Sequence, residues 1–230
     1  MSSNPFGWPD WRPGDPPPPG AFPSRADELA FQRALNSETA GQRAPLAAAL
    51  RGDLQMFAAV RTERSRFVND LDRLANIVRI AWASDAFFAL VLYRLRTSLR
   101  SHHIPFAPTI LHRICMMTSQ VCIGDPVVIA PGVYIPHGQI VIDGAVRIGT
   151  HTILNPWVTI GLLEGNMQGP TLGDGVFVGT GAKILGPVQI GANAKIAANS
   201  VVLHDVAPDT TVAGAPARLV ADRREPADGD

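Results

Sequence analysis

Between Leu172 and Val202 an aliphatic residue returns every six positions: Leu172, Val178, Ile184, Ile190, Ile196 and Val202. The residue that follows is glycine at 173, 179 and 191 and alanine at 197. A helix would space its apolar residues by three and four, and a strand by two. A fixed period of six is the mark of a parallel β-helix, in which each short strand supplies one inward aliphatic. Three strands close one triangular coil of about 18 residues, and stacked coils sit about 4.8 Å apart with their aliphatics piled into ladders.

The same count can be followed upstream through Ile123, Ile129 and Ile135, slips by one residue, and resumes at Ile142, Ile148, Leu154 and Ile160. It then fails between Gly161 and Thr171, where position 166 calls for an aliphatic and holds Asn166. The spacing predicts that this second segment leaves the coil wall as a loop. Excursions from a rigid scaffold are where sites tend to sit. The first break lies at His137, so the two breaks point to a site between them.

The rest of the chain divides by composition. Residues 1–23 carry eight of the chain's 20 prolines, which remove backbone donors and favour an extended arm. We read it as disordered, with Trp8 and Trp11 available to anchor it to a partner. Residues 24–121 read as helical. Pro45 suits the first turn of one helix, Phe67, Leu71, Leu74, Ile77 and Val78 mark the apolar stripe of a second, and Ser84 or Asp85 caps a third. The apolar window from Ile77 to Leu95 contains Arg79, Asp85 and Arg94, so a buried helix pair is expected rather than a membrane span, although peripheral contact of Asp85–Leu99 with a membrane stays open. Residues 122–220 form the repeat domain and 221–230 a disordered tail. The fold class is therefore α+β, a helical region followed by a parallel β-helix.

Lys+Arg and Asp+Glu number 20 each, which leaves no electrostatic case for a nucleic-acid partner. The two cysteines, Cys115 and Cys122, form no CxxC motif, and His102, His103 and His112 have no partner at metal spacing, so neither a disulfide framework nor a metal site is expected. No signal peptide is recognised, and with these cysteines a reducing cytoplasm is the expected location.

The strings HGQIVIDGAVRIG, VTIG and GTGAKILGPVQIGANAKIAANSVVLHDVAPDTTVAGAPARLV resemble the serine acetyltransferase branch of the hexapeptide-repeat acyltransferases. DAFFALVLYRL resembles that branch's helix before the repeats, so the resemblance spans about Asp85 to Val220. It implies a left-handed β-helix assembled as a homotrimer or a dimer of trimers, acetyl-CoA as co-substrate, and His137 as the catalytic histidine. Such a base takes the proton of an acceptor hydroxyl as it attacks the thioester. The family lays the pantetheine arm along small residues of the later coils, here Thr180, Gly181, Ala182 and Ala198, and Lys183 and Arg218 are candidates for the CoA phosphates.

Departures from the family bear on the acceptor. Pro136 stands where the family has an aspartate, and the loop offers Glu164, Asn166 and Gln168 where the family has arginine and histidine. Asp143, Glu164 or a backbone carbonyl are the candidates to orient His137. Asp143, Glu164, Asn166 and Gln168 are also the acceptor-side candidates. The expected acceptor is accordingly the hydroxyl of a sugar or small metabolite. The GPTLG ending of the loop resembles polysaccharide- and capsule-type O-acetyltransferases. The alternatives are serine O-acetylation for cysteine synthesis and a non-catalytic trimeric scaffold. The family's terminal isoleucine, which enters a partner sulfhydrylase, is replaced by Asp230, so that partnership is not expected.

Overall fold

The computed structural model describes residues 25–61, 67–163 and 168–220. The proline arm with Trp8 and Trp11, the tail from 221, and Glu164 and Asn166 lie outside them.

Five helices come first: α1 (Arg25–Ala40), α2 (Leu46–Val60), α3 (Asp70–Ala83), α4 (Asp85–Ser101) and α5 (Ala107–Ser119). Local chemistry sets their ends. Pro45 occupies the N-cap of α2, one step outside the first turn. Asn69 caps α3 by accepting the Asp72 N–H at 2.8 Å, and Asp70 and Asp72 complement the dipole there. Ser84 closes α3 and caps α4, its hydroxyl accepting the Phe87 N–H at 3.3 Å. The stripe expected on α3 is only partly used. Ile77 and Ile80 are buried, whereas Leu71, Leu74, Val78 and Trp82 are 76, 56, 62 and 93 % exposed. One edge of α3 meets the other helices, and the face carrying these four residues looks outward.

Three sheets of short strands follow. The first contains β1 (Val121–Ile123), β3 (Ile140–Ile142), β6 (Thr159–Gly161), β9 (Lys183–Leu185) and β12 (Val201–Val202). The second contains β2 (Val128–Ile129), β4 (Ala145–Ile148), β7 (Gln168–Leu172) and β10 (Gln189–Ile190). The third contains β5 (Ile153–Leu154), β8 (Phe177–Val178), β11 (Lys195–Ile196), β13 (Thr211–Ala213) and β14 (Arg218–Leu219). Pairing is parallel throughout except between β13 and β14.

The sixfold count maps onto this wall. Ile123, Ile142, Ile160, Ile184 and Val202 stack inside the first sheet, Ile129, Ile148, Leu172 and Ile190 inside the second, and Leu154, Val178, Ile196 and Val212 inside the third, none more than 6 % exposed. Each burial contributes about 1.5–3 kcal/mol before entropy is counted. The expected Gly161–Thr171 excursion is shorter than its sequence suggests. Gly161 ends β6 and Gln168 already begins β7, so residues 162–167 alone stand between strands. The strand starts earlier than the sixfold period predicts because Gly169 and Pro170, poor strand formers in isolation, are accommodated in β7 between β4 and β10.

The helices close the open end of the first coil. Phe57 meets both Phe87 and Tyr134 edge-to-face at 4.6 Å, and the Tyr93 hydroxyl donates to Val127 O at 2.8 Å.

Candidate active site

The triangular coil has three corners, and the one leading from the third sheet to the first carries most of the expected site. Its turns are 136–139, 155–157, 179–181 and 197–199. Gln139, Trp157, Gly181 and Asn199 take left-handed φ values of 68°, 67°, 75° and 57° at matching positions. Backbone bonds join one turn to the next: Trp157 N–H to Gln139 O at 2.9 Å, Gly181 N–H to Pro156 O at 2.9 Å and Asn199 N–H to Thr180 O at 2.8 Å. Each left-handed residue precedes its coil's inward aliphatic by three. Counting back to the preceding aliphatic gives three residues from Leu154 to Trp157 but four from Ile135 to Gln139. The one-residue slip is therefore an extra residue in the 136–138 turn, and this enlarged turn presents His137 to solvent.

Helices brace that turn from below. The Gln139 N–H donates to Ser119 O at 3.3 Å at the end of α5. The Ser119 hydroxyl donates to Asp85 O at 2.8 Å, tying α5 to the start of α4. Gly138 is pressed against this junction: a Cβ there would lie 1.8 Å from Ser119 O and 3.5 Å from Asp85 Oδ2. Only glycine fits. The Asp85 carboxylate is thus delivered beside the residue following His137. Its Oδ1 accepts the Ala86 N–H at 2.9 Å, its Oδ2 has no partner among the described residues, and the residue is exposed. No pattern in the sequence marks Asp85 as a site residue, because it reads as an ordinary first-turn acid of α4. The packing of α4 against α5 is what brings it to the corner.

Other expected residues are divided by the geometry. Thr180, Gly181 and Ala198 line the corner above His137, with Thr180 and Ala198 exposed. Ala182 does not: its side chain is fully buried in the wall, because it holds an inward position with Val158 and Ser200 as its neighbours in the column. Lys183 Nζ donates to Trp157 O at 2.6 Å. Arg218 is exposed on β14, near the far end of the same corner, where Ala217 N–H donates to Val201 O at 2.8 Å. Gly179 is also demanded by stacking, since a Cβ would lie 2.6 Å from the backbone Ala198 N.

Asp143 belongs to a different corner. It follows β3, whereas His137 precedes it, so the strand separates the two, and its Oδ1 accepts the Gly144 N–H at 2.9 Å. Asp143 does not orient His137. Gln168 lies in β7 of the second sheet. Among the described residues His137 has no hydrogen-bond partner at all. His151 and His204 are exposed on other corners.

The cysteines are poor nucleophiles. Burial pushes the Cys115 thiol up to about 11, and Cys122 is raised by burial and then by Asp143. His112 is held below its ordinary value by burial and by Arg96, whose Nη1 lies 2.7 Å from its Nδ1. Among the described residues no three His, Cys, Asp or Glu side chains cluster to hold a metal. No helix there is long and apolar enough to cross a membrane.

Comparison with known proteins identifies what the chain is similar to. Residues 169–204 match the family model described as bacterial transferase hexapeptide (six repeats). The Helicobacter pylori serine acetyltransferase is 34 % identical over 140 residues, which cover 59 % of this chain and 81 % of that protein. The chain belongs to the serine acetyltransferase family. Against the Synechococcus elongatus serine acetyltransferase the identity is 37 % over 58 % of this chain, and the matched segment spans 56 % of the relative's length. The Neisseria gonorrhoeae serine acetyltransferase solved in complex with serine superimposes with a TM-score of 0.64 at 25 % identity, covering 81 % of this chain and 73 % of its own. A serine acetyltransferase solved in complex with CoA gives 0.55 at 33 % identity, covering 59 % of this chain and 57 % of its own. These relatives are described as serine acetyltransferases, the reading given in the sequence analysis as an alternative.

Proposed function

We propose that the chain transfers the acetyl group of acetyl-CoA to the side-chain hydroxyl of serine, within a homotrimer. The observation that carries this reading is one column on one corner. It holds an exposed histidine on an enlarged turn, the Asp85 carboxylate beside that turn, and the small residues Thr180, Gly181 and Ala198 above it. Family membership supports both acceptor and co-substrate.

The chemistry follows from these groups. CoA extends along the small-residue column, with Lys183 and Arg218 on its flank. Asp85 Oδ2 accepts hydrogen bonds from the serine ammonium and fixes the hydroxyl near His137. The imidazole takes the hydroxyl proton as the oxygen attacks the thioester carbon, and backbone N–H groups stabilise the oxyanion. The carbon–sulfur bond then breaks, and the imidazolium returns the proton to the CoA sulfur. O-acetylserine and free CoA leave.

The test is thiol release from acetyl-CoA with L-serine beside a panel of sugars. Serine should be the preferred acceptor, and His137→Ala should lower kcat at least about 100-fold while CoA still binds, in line with the usual worth of a positioned base. A sugar preference would restore the second reading, which Pro136 and the absence of arginine and histidine from residues 162–167 favour.

A further inference from the structure

Tryptophan is an unexpected residue type at position 157. The corner calls for a left-handed residue at this position of each coil, supplied by Gln139 below and by Gly181 and Asn199 above; Trp157, with a φ of 67°, fills it with a bulky side chain, for which this region is an outlier. The side chain gains little from burial, since the residue is 57 % exposed. A tryptophan commonly contributes through the large area it buries. Here a costly backbone state presents an indole to open space. Strain of this kind persists where surrounding contacts hold it in place, and it clusters at ligand sites. The holding contacts are present. The Trp157 N–H donates to Gln139 O at 2.9 Å, its carbonyl accepts from Lys183 Nζ at 2.6 Å, and the carbonyl of the preceding Pro156 accepts the Gly181 N–H at 2.9 Å.

Its level along the corner is the second observation. Trp157 occupies the turn between that of His137 and that of Thr180–Gly181, with neighbouring coils about 4.8 Å apart. A thioester whose pantetheine runs beside Thr180, and whose carbonyl carbon must come within about 3–3.5 Å of a hydroxyl held at His137, brings its acyl group to this level. We propose that Trp157 is the wall of the acyl subsite and limits the enzyme to short acyl groups. The inference rests on the CoA-dependent reading above. A rigid aromatic face discriminates by length, because an added methylene has to displace it, and one methylene in an apolar pocket is commonly worth about 10-fold or more.

The test compares acetyl-CoA, propionyl-CoA and butyryl-CoA with the full-length protein and with Trp157→Ala and Trp157→Gly. Calorimetric Kd and kcat/KM with serine are both measured. The wild type should favour acetyl-CoA over butyryl-CoA, and both variants should shrink that ratio at least about 10-fold. Trp157→Gly should also keep or raise Tm, because glycine relieves the left-handed backbone. An unchanged chain-length ratio overturns the proposal, as does loss of the trimer by light scattering with the ratio intact, which would make Trp157 a subunit contact. Failure of the wild type to bind any CoA thioester sinks the parent reading as well, and is seen before any variant is made.

Discussion

Arg94 of α4 and Asp53 of α2 form a buried pair, Nε to Oδ2 at 2.9 Å and Nη2 to Oδ1 at 3.2 Å, with side chains 5 % and 1 % exposed. The pair joins the helices to the first coil. Arg94 also donates to Ile129 O and Ala130 O at 2.5 and 2.8 Å, and Asp53 accepts the Gly132 N–H at 2.9 Å. Breaking it leaves a buried charge and several unmade backbone bonds. Asp53→Ala or Arg94→Ala should each cost about 3–5 kcal/mol in denaturant unfolding, and the double variant should cost less than the two losses added together. Additive losses would mean the residues act separately.

Asp85 should matter to the acceptor alone. Asp85→Asn removes the negative charge while keeping its size, and should raise the KM for serine about 10-fold or more with the KM for acetyl-CoA unchanged. Thermal stability should hardly move, because the carboxylate is exposed. Equal changes in both KM values would refute the assignment.

Stability should fall at both ends of the pH range for identifiable reasons. The neutral Cys115 thiol is the form the fold accepts, so its contribution is complete below the ordinary value of 9.0 and is lost as the pH rises toward about 11. The folded value of His112 lies below 6.5, so its contribution is complete above 6.5 and is lost as the pH falls through the folded value. Melting curves against pH should show Cys115→Ala flattening the alkaline limb and His112→Gln the acid limb. Limbs that ignore both substitutions would contradict this.

The outward face of α3 predicts assembly. Leu71, Leu74, Val78 and Trp82 recur at helical spacing and are exposed among the described residues, an apolar face that a second subunit would fit. If trimers pair through their helical regions, Trp82→Glu should halve the mass seen by light scattering without lowering monomer stability. A mass equal to that of the wild type would exclude α3 from the contact.

The wall was legible in the sequence because burial repeats with the chain. An inward position every six residues leaves a mark wherever it occurs, and even the one-residue surplus at His137 showed as a slip in the count. Ala182 shows a related limit: a small residue in the wall looks the same whether its side chain faces a ligand or the core, and here it faces the core. Asp85 and Gly138 were invisible because their meaning comes from contact between α4, α5 and the first coil, which no local period encodes. Trp157 was likewise silent, since what sets it apart is a bulky, exposed side chain at a left-handed corner position, and no local period marks that. On α3 the apolar stripe was read correctly as a helix, and what it lacked was any indication that most of it faces away from the core.

The extra residue in the 136–138 turn and the surplus at 162–167 leave the inward aliphatics aligned on either side, the second at the cost of a bulge in β7, where Ala145 pairs with Gln168 but Arg147 with Thr171. The wall takes its length changes at its corners, and the bulge in β7 still brings Leu172 opposite Ile148. Such a scaffold separates the part that must stay in count from the parts free to change length, so a lineage can acquire a new acceptor by adding or deleting corner residues without renegotiating the core. The same property marks residues 162–167 as the place where a designer can graft a longer binding loop.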